Sequence, residues 1–453
     1  MTVGACDAPK PTLAPANKLV VALRAGPGSW LPGPDGVPHG FEHDLIVAFA
    51  AEHKLPLITV RVPNADTLAA KIADGEAHVG IGGLYRPRDA APPRDRHGSP
   101  HALTWTTGFH PANPVVIAPA GARPKRWSDL NGAQVRYLAA SGLDDEVIAL
   151  AREHPSVRFT AIDLPSTDAL IAQVNDGRVP YALVSSLQAS LARNVHLNFD
   201  VAFPAGSTLE VAWLVGQDDA TLRERLDAFV DKSRRNGLID RLAHRYFAHA
   251  REVHRNEAGA LQERMRTVLP DFRKVFVEAQ EASGIEWRLL AAMAYQESRW
   301  EPQATSETGV RGFMQLTEET ARHLGVADRL DPRMSTIAAA RYLKDLRERL
   351  PERIAEPDRT WLALAAFNIG LGHLEDARII AQRQKRDPDS WQDVKLALPL
   401  LAIPEHYEKA KLGYARGGMP VAFVDRVRGY YDILLRYEPA HSPRVDGATN
   451  RAS

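Results

Sequence analysis

The 453-residue sequence has one cysteine, Cys6, so no disulfide can form within the chain. It has no excess of either charge. Lys plus Arg and Asp plus Glu each number 56, a formal net charge of zero, which leaves no electrostatic footprint for nucleic acid. No uninterrupted apolar run approaches the ~20 residues that a membrane-spanning helix needs. Low-complexity tracts are absent too. What is present is a hydrophobic content of 45%, normal for a protein with full cores, on a chain long enough for two or three domains.

The first half alternates short β-rich runs with helices. Strand candidates at 19–23, 57–62 and 78–82 enclose helices at 44–53 and 65–75, the second ended by a glycine. A second set follows: strands at 134–138, 157–162 and 181–185 around helices at 144–154 and 166–176. The shared grammar predicts an α/β domain of two similar lobes, each with a largely parallel sheet, over residues 18–250. Helices at 221–236 and 238–247 close it. A polar stretch at 251–260 reads as a linker, and 261–437 has helical periodicity throughout. The expected fold class is therefore multidomain: an α/β two-lobed domain followed by an all-α one. Residues 1–17 read as a flexible tether and 438–453 as a disordered tail.

One glutamate in the helical half stands out. In the helical run from Trp287, residues Leu290, Met293, Ala294 and Glu297 fall at i, i+3, i+4 and i+7. That spacing puts the carboxylate on the apolar face. Burial there disfavours the charged form and raises the pKa. A carboxylic acid kept protonated near neutral pH is what a glycosidase needs to protonate a leaving sugar oxygen. The plainer reading is a half-exposed glutamate at a helix end, or one paired with Arg299.

Four blocks lie in order here: Glu297-Ser298, ATSETGVRGFMQLT at 304–317, AAFNIG at 365–370, and YARG at 414–417 with FVDRVRGYY at 423–431. Together they resemble the lysozyme-like catalytic domain of the bacterial soluble lytic transglycosylases. In the first half, GPDGVPHGFEHDL at 33–45 and DGEAHVGIGG at 74–83 resemble the family 3 bacterial solute-binding proteins, a periplasmic-binding-protein-like fold. That order of fusion is similar to the F-type membrane-bound lytic murein transglycosylases.

The resemblance implies that Glu297 is the sole catalytic acid and then base, cutting the MurNAc–GlcNAc bond of peptidoglycan glycan strands. The C6 hydroxyl of the same muramic sugar then attacks C1 and leaves a 1,6-anhydromuramoyl end. Holding that hydroxyl near C1 supplies a large effective molarity, so no second carboxylate is needed. Ser306, Met314, Gln315, Asn368, Tyr414 and Tyr430 are the implied substrate-binding residues. No cofactor and no metal is implied. Ser306 also reads as a turn residue ahead of Gly309, and Asn368 as a helix-end residue bonding its own backbone. The chain departs from the family pattern at Phe367 and Phe423, where tyrosines are usual. Both changes delete a hydroxyl that could tune the acid, and Tyr414 or Tyr430 could compensate.

For the first domain, the resemblance implies a small ligand, an amino acid or a cell-wall peptide. GLYRPRD at 83–89 offers Arg86 and Arg88 for a carboxylate, although the usual arginine motif is missing, and solvated loop charges are the alternative. Tyr85 and Trp105 could stack on a ligand. Small residues leading into Cys6 resemble the end of a bacterial lipoprotein signal, without the basic start and apolar stretch. Cys6 is thus either a lipid-anchor site, the one route to a membrane, or an unpaired cysteine in the tether. The implied location is the periplasm, at the outer membrane. Two rival functions stay open: a glycan-binding sensor with an inactive lysozyme-like domain, and a hydrolysing muramidase.

Overall fold

A computed structural model describes residues 18–26, 28–32, 38–87, 92, 102–139, 141–247, 253–306 and 309–441. Cys6, Arg88 and Glu307 lie outside them. The chain forms two compact units, 1–250 and 251–453.

In the first unit, β1 (Leu19–Arg24) runs parallel to β2 (Leu57–Val62) and to β3 (Val79–Ile81), with Val21 opposite Thr59 and Val79. Parallel neighbours need crossovers, and α1 (Phe41–Glu52) and α2 (Ala65–Ala73) supply them. Asn64 starts α2 by accepting the Thr67 N–H. Helix α1 begins three residues earlier than its expected start at 44, because Phe41, Glu42 and His43 are all buried.

In the second lobe, β6 (Gln134–Leu138) runs parallel to β7 (Arg158–Ile162) and β8 (Ala182–Ser185), with α3 (Asp144–Glu153) and α4 (Thr167–Asn175) as crossovers. Each sheet then takes a strand from the crossing segments. β10 (Leu214–Gly216) lies antiparallel between β3 and β4 (Leu103–Trp105). β5 (Pro114–Pro119) lies antiparallel between β8 and β9 (Phe199–Pro204). The orders are β2-β1-β3-β10-β4 and β7-β6-β8-β5-β9, one pattern used twice. Both faces of each sheet are covered. Ala182 and Val184 point into one core and Leu183 into the other, which is why these strands read as continuous apolar runs. Helices α5 (Ala220–Arg235) and α6 (Leu238–Phe247) complete the unit on the first lobe's core.

The second unit is helical, with one isolated bridge, Thr305 to Arg311, among its described residues. Helix α7 (Arg255–Thr267) occupies most of the segment expected to be a linker. Glu257 forms a capping box with His254, and Ala258, Leu261 and Met265 bury one face, so this polar stretch folds as an amphipathic helix. Helices α8 (Leu269–Ser283) and α9 (Trp287–Ser298) follow. Every residue of α9 from Trp287 to Tyr295 is buried, which makes it the central helix. It packs against α8 and the last helix, so the acid at its end sits on the best-fixed element of the unit. Further along stand α10 (Glu318–His323), α11 (Pro332–Arg349), α12 (Asp358–Ile369) and α13 (Leu371–Arg383). The last helix is α14 (Gly418–Tyr437). The start of the expected disordered tail is tied down. Arg288 donates to the Glu438 carbonyl at 2.8 Å, Trp287 to Pro439 at 3.2 Å and Gln280 to His441 at 3.0 Å.

Candidate active site

Glu297 sits in the last turn of α9, partly exposed. Leu290, Met293 and Ala294 on its helix face are fully buried. Desolvation raises its pKa to about 8. The negative end of the helix dipole acts in the same direction. Arg299 does not pair with it. That guanidinium donates to the Tyr430 hydroxyl at 2.8 Å, stands 3.7 Å from Glu257, and lies over the rings of Tyr295 and Tyr430.

The helix stops abruptly after the acid. Arg299 and Trp300 both adopt positive φ, 55° and 61°, a costly state for two non-glycine residues. Trp300 folds back, and its indole donates to the Ala291 carbonyl at 2.8 Å. Ser298 donates to Ala294 at 3.0 Å and so serves the helix.

Residues 304–306 and 309–317 are tied to one another. Gly312 donates to the Ala304 carbonyl at 2.9 Å, and Gln315 donates to Ala304 and Gly312 at 3.1 and 2.7 Å. Gln315 itself has φ 46°, and its side-chain oxygen is buried with no protein partner among the described residues. Gly312 has φ 107°, and a Cβ there would collide with the Arg329 carbonyl. Ser306 is exposed and accepts the Val310 N–H at 3.0 Å, as a turn residue does. Met314 and Phe313 are fully buried, the latter tilted at 42° against Phe272 with centroids 4.7 Å apart.

Asn368 is exposed in the last turn of α12. Tyr414 is 57% exposed, edge-on to Tyr407. Tyr430 is fully buried, so its surface meets protein and its hydroxyl serves Arg299. Phe367 and Phe423 stack on one another. Of the sequence-derived residues, then, Asn368, Tyr414, Ser306 and Glu297 reach solvent, while Met314 and Tyr430 support from within. Sequence reasoning passed over Glu257, Tyr295 and Trp300, which hold the helix end. Only the run of α9 into Arg299-Trp300 without a glycine hinted at a side-chain-held stop.

In the first unit, Tyr85 is buried and joins the lobes. Its hydroxyl bonds Ser185 at 3.0 Å and its N–H donates to the Ser141 carbonyl at 3.0 Å. Trp105 lies in the core of the first lobe. Arg86 is half-buried, in the short sheet that links the lobes. Sequence reasoning also passed over Glu42, which accepts the Gly83 N–H at 2.5 Å. Burial pushes its carboxyl up to about 7, against the pull of those backbone N–H groups and Arg24. Arg24 is buried too and donates twice to the Gly82 carbonyl, at 3.1 and 2.6 Å.

The family model for the transglycosylase SLT domain matches residues 274–391. Among solved structures, a variant of ArgBP from T. maritima aligns at 18% identity and TM-score 0.44, covering 52% of this chain and 97% of that one. The amino acid ABC transporter substrate-binding protein AbpA from Streptococcus pneumoniae aligns at 19% and 0.44, covering 52% and 98%. Curated relatives match along nearly the whole chain. The membrane-bound lytic murein transglycosylase F of Thiobacillus denitrificans is 39% identical over 98% of this chain and 93% of its own length. That of Ectopseudomonas mendocina is 39% identical over 96% and 88%. At 36–39% identity along nearly the whole of both chains, the chain belongs to the membrane-bound lytic murein transglycosylase F family.

Proposed function

We propose that this protein is a peptidoglycan lytic transglycosylase in which Glu297 alone serves as acid and base. The carboxyl protonates the oxygen bridging MurNAc to GlcNAc. It then takes the proton of the C6 hydroxyl as that oxygen bonds to C1. The products are a 1,6-anhydromuramoyl end and a free GlcNAc hydroxyl. One observation carries the reading: burial lifts the Glu297 pKa to about 8, so the carboxyl is protonated at neutral pH with no charged side chain shifting it. Asn368, Tyr414 and Ser306, all exposed, are the proposed glycan contacts. Gln315 and Met314 shape the loop beneath them, and Tyr430 acts through Arg299.

The two-lobed unit is read as a regulator that takes an amino acid or cell-wall peptide, with Arg86 and Tyr85 at the junction of its lobes. Among the described residues no helix is long and apolar enough to cross a membrane. A periplasmic enzyme held at the outer membrane through Cys6 is part of the same proposal. Mass spectrometry of digested peptidoglycan tests the chemistry. Anhydro ends support it, reducing ends point to a hydrolase, and no product points to a sensor. Calorimetric titration with stem peptides, with cleavage followed in parallel, tests regulation, because an equilibrium coupling must be reciprocal.

A further inference from the structure

The chain reverses direction immediately after the catalytic carboxylate, and side chains hold that reversal. A helix commonly ends on a left-handed glycine. Here Arg299 and Trp300 take that conformation in succession, at φ 55° and 61°. Such strain persists only where the surroundings over-determine it. Arg299 is the centre of those surroundings. It bonds the Tyr430 hydroxyl on α14 at 2.8 Å and lies 4.7 Å over the Tyr295 ring of α9. It also faces the Glu257 carboxylate on α7 at 3.7 Å. Glu257 uses its other oxygen to accept the His254 N–H at 3.4 Å, at the first turn of α7. The remaining charged groups facing this cluster are Arg264 of α7 and Arg426 of α14. Arg264 is engaged by Glu301 at 3.5 Å.

We propose that Arg299 is a positioning residue for Glu297, and that through Glu257 it makes α7, the leading helix of this unit, part of what holds the acid in place. The inference rests on Glu297 being the acid. Arg299 does not pair with the Glu297 carboxyl itself. It fixes the helix end two residues beyond the acid, so that the Glu297 side chain stays in its desolvated seat. A misplacement of about 1 Å costs on the order of a hundredfold in rate. Loss of the clamp should therefore appear in kcat.

The test uses the full chain and a soluble muropeptide tetrasaccharide. Arg299→Gly is the informative variant. Glycine accepts the left-handed backbone without strain, so the fold should melt at or above the wild-type temperature although the clamp is gone. We expect kcat to fall tenfold or more with KM within twofold. The alkaline limb of the pH–rate profile should move to lower pH as Glu297 becomes solvated. Glu257→Gln and Tyr430→Phe should move kcat the same way by less, and Arg299→Lys should restore part of the loss. Wild-type kcat and pH profile in Arg299→Gly would overturn the proposal, as would a loss confined to KM. Glu297→Gln run alongside separates the two ideas. An active Glu297→Gln removes the acid itself. An inactive one beside an unaffected Arg299→Gly removes only the clamp.

Discussion

Phe367 and Phe423 lie face to face, with ring centroids 6.5 Å apart and planes 11° from parallel. Tyr342 packs on Phe367 at 5.7 Å, so these two departures from the family's tyrosines form one apolar stack. A hydroxyl added at the buried Phe423 is taken out of water. Phe423→Tyr, at a buried position, should cost about 1–2 kcal/mol, and Phe367→Tyr, half-buried, less. Urea unfolding of both variants measures this. The alkaline limb of activity should stay where it is in each. A limb that drops would mean that the new hydroxyl reaches Glu297 and favours its charged form.

On the proposed mechanism the pH dependence of cleavage follows from Glu297. Its folded pKa of about 8 lies above the ordinary 4.5, so the acid is loaded below pH 8 and emptied above it. We expect kcat/KM to fall through a single limb near pH 8, with no second carboxylate limb between pH 4 and 7. A bell with an acidic limb in that range would point to a two-carboxylate hydrolase.

The same raised pKa opposes stability. Between pH 4.5 and 8 the folded state holds a proton that the unfolded state has lost, so stability falls as pH rises through that window. Glu297→Gln removes this cost. It should stabilise the catalytic unit at pH 8 by up to a few kcal/mol, given about 1.4 kcal/mol per pKa unit, and raise its melting temperature accordingly. The gain should fade toward pH 4.5, and calorimetry at several pH values would show whether it does.

Gly312→Ala should disable the loop at 304–315. The new Cβ meets the Arg329 carbonyl at a φ of 107°, which should cost about 1–3 kcal/mol and displace Gln315 from its bonds. Cleavage should fall at least tenfold. Gly309→Ala, with open space around it, should cost only the strain of its φ of 80°, about 1–2 kcal/mol. A Gly312 variant with full activity would detach this loop from the site.

Tyr85→Phe should loosen the junction of the first unit's lobes. It deletes the bond to Ser185, and a neutral hydrogen bond is worth about 1 kcal/mol. Small-angle scattering of the variant should show a more open average shape. An unchanged profile would mean that the backbone bond from Tyr85 to Ser141 suffices.

Much of this was legible in the sequence because it is periodic. The strands at 57–62 and 134–138 came out with the expected bounds, since β-branched runs between turn residues admit few alternatives. The burial of Glu297 was legible because its spacing puts a carboxylate on an apolar helix face, a local anomaly. The crossing strands were not. Val79 pairs with Val215, and no local pattern records a partner so remote. Helix α7 was hidden because its buried face is narrow and its other residues are polar. The burial of Tyr430 was equally invisible, since a motif gives residue type and order but not which side of the wall a ring occupies.

The late return of the chain to the first sheet has a consequence for synthesis. The first sheet lacks an interior strand until Leu214–Gly216 leaves the ribosome, after the whole second lobe has been made. The second lobe, whose five strands all lie within 114–204, is complete sooner. The N-terminal lobe therefore waits, with the edge of β3 unpaired, for a later part of the chain. Pairing at such sequence separation is slow, and an exposed strand edge invites aggregation. Nascent chains stalled before Leu214 should depend on chaperones, and those extended past Phe247 should not.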